Sequence, residues 1–88
     1  MKNVQFSPDV IVQQLGDQTV LLHMQTNRFY ELNRTASRFV ELLKTEENLN
    51  SVRSQMLEEF DVESTQLGIE IEHLLSELEK ERLVTVYE

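Results

Sequence analysis

The spacing of apolar residues changes character near residue 33. Before it, short β-branched and aromatic runs alternate with turn residues. Val10-Ile11-Val12, then Thr19 to Met24, then Arg28-Phe29-Tyr30-Glu31-Leu32 predict three strands at about 9–14, 19–24 and 28–32. Gly16 and Asp17 can turn the chain between the first two strands, and Asn27, which tolerates left-handed backbone, between the second and third. That spacing predicts an antiparallel meander. After Leu32 the period becomes helical. Asn33 is a good N-cap. Ala36, Phe39, Val40, Leu42 and Leu43 predict a helix over about 34–44. Leu49, Val52, Met56, Leu57 and Phe60 predict a second over about 50–60. Leu67, Ile71, Leu74, Leu75 and Leu78 fall within about 100° of arc on a third, over about 65–82. Leu83 to Tyr87 reads equally as a final strand or a packed tail.

A three-stranded sheet with one buried face needs a cover, and the helices supply it. The expected fold class is α+β, winged helix-turn-helix-like, with a three-stranded antiparallel sheet followed by three helices in one domain over 1–88. The 88 residues leave little room for a deep catalytic cleft beside a core.

Charge sharpens the picture. The net charge is -8, and it is uneven: residues 1–45 hold five basic and four acidic residues, residues 46–88 three basic and twelve acidic. An acidic chain is a poor partner for nucleic acid, where phosphate contacts dominate affinity. No stretch approaches the roughly 20 apolar residues of a membrane span. The start, Met-Lys-Asn-Val-Gln-Phe-Ser-Pro, lacks an apolar run of signal-peptide length. A cytoplasmic protein is expected, with no membrane or nucleic-acid partner.

The residue inventory disfavours catalysis. With no cysteine, disulfides, thiolate chemistry and cysteine-based metal sites are absent. None of the serines stands in a nucleophile-elbow or Ser-x-x-Lys setting. Glu46-Glu47 and Glu58-Glu59 are adjacent pairs whose members point apart on a helix, so neither pair makes an acid–base couple. His23 and His73 are far apart in sequence and read as ordinary, partly exposed histidines rather than metal ligands. No phosphate-cradling glycine loop exists. No catalytic residue, cofactor or metal is expected.

Binding is better served. The third strand of a meander has an outer edge, and such an edge is either blocked or used. Residues 28–32 contain neither Pro nor Gly, so the edge can accept a strand from another chain. Tyr30 and Leu32 share one face of that strand, Phe29 and Glu31 the other. Leu32 is expected in the core. Tyr30 can line a pocket at the sheet–helix boundary with its hydroxyl on a polar neighbour.

Several of these residues also carry a family resemblance. Val20-Leu21-Leu22, Asn27-Arg28, Phe29-Tyr30-Glu31-Leu32-Asn33, Glu41-Leu42-Leu43, Phe60-Asp61-Val62, Glu70, Leu74-Leu75, Leu78 and Leu83-Val84 follow one another as in the PqqD-like family, the RiPP recognition elements. The resemblance covers about residues 9–84. Arg82 stands where the family often has Gly, which leaves the end of the last helix open, and Glu70 stands where Asp is common. The resemblance implies a peptide-binding domain that takes the leader of a ribosomal precursor peptide as an added strand between strand 3 and helix 3. It implies a peptide-facing wall of Gln66, Glu70, His73, Leu74 and Glu77 opposite Arg28, Phe29, Tyr30, Glu31 and Leu32. The stand-alone size looks most similar to the recognition proteins of lasso-peptide biosynthesis, which deliver the precursor to a leader peptidase and bind leaders with a Tyr-x-x-Pro element. A pyrroloquinoline-quinone-type peptide chaperone working with a radical enzyme is the alternative within the family. A winged-helix DNA-binding protein is the alternative outside it. Ile69, nearly opposite the core stripe of its helix, is expected either against the chain's tail or in a protein contact.

Overall fold

Two antiparallel sheets and three helices close around one hydrophobic core in the computed structural model, which describes residues 2–88. The elements are β1 (Asn3–Phe6), β2 (Val10–Leu15), β3 (Gln18–His23), β4 (Arg28–Glu31), α1 (Arg34–Leu43), α2 (Leu49–Glu59), α3 (Ser64–Lys80) and β5 (Val84–Tyr87). The expected meander is present as a sheet in the order β2-β3-β4, and the three helices follow it. The chain is thus α+β.

The hairpin turns follow from single residues. Gly16 takes a φ of 64° between the paired Leu15 and Gln18, the arrangement in which Gly stands first of two turn residues. Asn27 takes a φ of 60° in the turn just before β4. The register places Leu21 opposite Tyr30 and Leu22 opposite both Ile11 and Phe29. Thr19, Leu21 and His23 therefore face the core and are buried, while Ile11, Leu22 and Phe29 form a row across the outer face.

Helix α1 is amphipathic, and its buried residues include Ala36, Phe39, Val40, Leu42 and Leu43 as expected. Asn33 caps it, Oδ1 accepting from the Ala36 N–H at 2.8 Å. Ser37 joins α1 to the sheet: its hydroxyl accepts from the Thr19 N–H at 3.1 Å and donates to the Leu32 carbonyl at 3.2 Å. The end of β4 is thereby fixed against α1. In α3 the buried stripe is Leu67, Ile71, Leu75 and Leu78, with Leu74 half-buried beside it.

Three expectations are corrected. Residues 3–6, read as no element, form β1 and pair with β5 from Asn3↔Tyr87 to Phe6↔Val84. The tail is therefore a strand. Helix α3 ends at Lys80 rather than Arg82, because Arg82 turns into the left-handed region at φ 60°. His23 is buried, since its parity on β3 points it inward; its Nδ1 accepts from the Gln25 N–H at 3.3 Å. Among the described residues, no helix is long and apolar enough to cross a membrane.

Candidate functional site

The free side of β4 is the first component of the site. Among the described residues β4 pairs only with β3, and the tail strand β5 pairs with β1 in the other sheet, not with this edge. The Leu32 N–H donates to the Thr19 carbonyl at 3.1 Å. Antiparallel pairing alternates inward and outward backbone groups, so those of Tyr30 are committed to β3 and those of Phe29 and Glu31 face away.

The second component is a cavity of about 470 Å³ between the start of α1 and the middle of α3. Asn33, Thr35 and Ala36 form one wall; Ile69, Glu70, His73, Leu74 and Glu77 form the other. Ala36 and Leu74 provide apolar surface, and the two carboxylates and the imidazole stand on exposed positions of α3. A side chain with an apolar body and a polar or cationic tip matches this lining.

The third component links β4 to the end of α3. The Tyr30 hydroxyl donates to Glu81 Oε1 at 2.9 Å, and Arg28 Nη1 donates to the same oxygen at 3.3 Å. Burial, and next the Glu81 carboxylate accepting its proton, push the Tyr30 phenol above its ordinary pKa. Arg28 is the only charged residue on the inner parity of β4, and Glu81 neutralises it. β4 thus meets the end of α3 at Glu81, while the cavity lies farther back along α3, against the start of α1.

The cavity gathers part of the residues singled out above, and none of Arg28 to Leu32 lines it. Glu70, His73, Leu74 and Glu77 line the cavity. Gln66 lies one turn away and donates from Nε2 to Glu70 Oε1 at 3.4 Å. Leu32 is buried and Tyr30 half-buried, whereas Phe29 and Glu31 lie on the outer face. Ile69 is 61% exposed and borders the cavity. Sequence reasoning missed Glu81 and the α1 wall: Asn33 and Ala36 read only as cap and core, and Thr35 was not singled out. No group of three His, Cys, Asp or Glu residues among the described residues is placed to hold a metal ion.

Compared with protein families, residues 18–84 match PqqD, described as coenzyme PQQ synthesis protein D. The chain belongs to the PqqD family. A search of curated proteins gives no match. Among solved structures, the PqqD fold seen here recurs in one described as TbiB1 in complex with the TbiA(beta) leader peptide. That chain is 24% identical, with a TM-score of 0.86 over 91% of this chain and 93% of the other. It recurs again in a lasso peptide synthetase B1 complexed with the leader peptide, 24% identical, with a TM-score of 0.83 over 94% and 98%.

Proposed function

We propose that this PqqD-family protein is a non-catalytic adaptor for the leader segment of a ribosomal precursor peptide. The leader adds as a strand to β4, in the groove between β4 and α3. The adaptor then delivers it, in the cytoplasm, to a leader peptidase and other modifying enzymes of lasso-peptide type. On this reading the scaffold is winged-helix-like but serves a peptide instead of DNA. The observation that carries the proposal is the β4 edge left unpaired among the described residues, with a cavity opening between α3 and the start of α1, the helix that follows β4. Both matched structures hold leader peptides, which supports the same use here.

The energetics fit a strand with an anchor. Each main-chain hydrogen bond contributes roughly 0.5–1.5 kcal/mol net. Ordering a flexible leader costs roughly 2–5 kcal/mol. Two residues' worth of free backbone leaves little surplus, so a side chain seated in the cavity must supply the rest. A Tyr of the leader is the anchor this reading favours.

Titration of a leader peptide into the labelled protein should shift the amides of residues 28–32 and 66–77 together. Tyr30→Ala should weaken binding while the domain stays folded. Shifts confined to other regions would remove the proposal. Incubation with the precursor alone should leave its mass unchanged. The family description favours one second reading, a pyrroloquinoline-quinone-type peptide chaperone; parallel titrations with precursors of the two types separate them. DNA binding is disfavoured, because Glu70, Glu72, Glu77 and Glu79 along α3 and Glu81 at its C-cap would repel phosphate.

A further inference from the structure

Strand addition at β4 has a fixed frame. The outward backbone groups belong to Phe29 and Glu31, so guest residues hydrogen-bonded opposite these two carry their side chains on the outer face, not in the groove. Only the guest residue between them turns inward, over Tyr30. The outer face at this point has a definite chemistry. Phe29 is 64% exposed and continues the apolar row of Leu22 and Ile11. Glu31 is exposed beside Val20, and no ion pair engages it among the described residues. Directly opposite residues on one face of an antiparallel pair interact, apolar with aromatic and acid with base.

We propose that Phe29 and Glu31 are specificity-determining residues that read the outer face of the added strand, selecting an antiparallel peptide with a basic residue opposite Glu31 and, two positions nearer its C-terminus, a large apolar residue opposite Phe29. This rests on the β4 edge being the binding site. The antiparallel sense follows every strand pair of this fold and the stronger ladder it makes. The groove and the outer face then read alternate residues of one strand: the cavity beside α3 seats an anchor, while Phe29 and Glu31 test its flanks.

The experiment selects binders to the full chain from a displayed library of short random peptides. Synthetic copies are then titrated against wild type, Glu31→Lys and Phe29→Ala, both at exposed positions. The selected peptides should share a Lys or Arg followed two residues later by an aromatic or large aliphatic residue. Exchanging that base for Glu should weaken binding to wild type about two- to fivefold and strengthen binding to Glu31→Lys by a similar factor. Exchanging the apolar residue for Ser should cost about two- to fivefold on wild type and nothing on Phe29→Ala. If the amides of residues 28–32 still shift but both variants keep the wild-type preferences, or if the motif runs in reverse order, this inference is overturned and the groove stands. Binders whose shifts avoid residues 28–32 overturn the groove itself.

Discussion

Arg82 holds a φ of 60°, where a Cβ crowds the following carbonyl at a cost of roughly 1–2 kcal/mol. Around it the Leu83 N–H donates to the Leu78 carbonyl at 2.9 Å and the Arg82 N–H to Glu79 at 3.0 Å. These are the paired bonds with which a left-handed residue, usually Gly, closes a helix. The helix end is thus built in the glycine manner with an arginine in place. Gly would relieve the strain but add roughly 0.5–1 kcal/mol of unfolded-chain freedom. Arg82→Gly should therefore gain up to about 1 kcal/mol, seen as a higher urea midpoint at unchanged slope. Arg82→Val should lose stability instead. Tyr30→Phe removes the donor to Glu81 and should cost about 1 kcal/mol. Adding Glu81→Gln to it should cost less than the sum of the single changes, and strict additivity would mean the contact contributes nothing. A half-buried phenol announces its need for a polar partner, so that part of the site was legible in the sequence. Which partner was not: Glu81 lies 51 positions away and is one acid among several on α3. Only the left-handed turn at Arg82, which ends the helix there, picks it out.

The helices were legible because each repeats its apolar spacing over several turns, and Asn33 marks the start of α1; the Asn48 cap of α2 passed for loop. β1 was not, since four residues with Val4 and Phe6 as the sole apolar pair give too little alternation to read. Its place depends on distant partners. The Val4 N–H donates to the Glu47 carbonyl at 2.8 Å, the Leu49 N–H to Lys2 at 3.0 Å, and Val4 pairs with Val86. Val4 is almost fully buried, so Val4→Ala should cost about 1–3 kcal/mol in chemical denaturation. The link between α1 and α2 is electrostatic at its rim. Arg38 Nε and Nη2 reach the two oxygens of Glu59 at 2.6 and 2.7 Å. The Arg38 guanidinium holds the Glu59 carboxyl below its ordinary pKa, and Glu59 in turn raises that of Arg38. A lowered carboxyl pKa stabilises the fold above the unfolded value, about 4.3. That contribution is lost as the pH falls through the folded value. The pair is partly exposed, so its worth is about 0.5–1 kcal/mol. Glu59→Gln should cost that much at pH 7 and nothing at pH 2, measured by urea unfolding at each pH.

Across the molecule, charge and topology converge on one side. The acidic half of the chain includes α3, whose Glu70 and Glu77 border the cavity, and β4 adds Glu31 at the open edge. A leader docking as proposed meets a negative field before it meets any pocket. Such fields act mainly on encounter: charges at a rim change the association rate and its salt dependence more than the dissociation rate. Screening shortens the reach of the field from roughly 14 Å to roughly 4 Å between about 0.05 and 0.5 M salt. A leader bearing Lys or Arg should therefore associate several-fold more slowly at the higher salt, with a nearly constant dissociation rate. Glu70→Lys should lower the association rate at low salt and flatten its dependence on salt. The cavity's apolar surface, from Ala36 and Leu74, is untouched by that change, so the dissociation rate should move little. Stopped-flow or surface-binding kinetics resolves the two rates. Salt-independent association, in wild type and Glu70→Lys alike, would place the peptide away from the α3 wall.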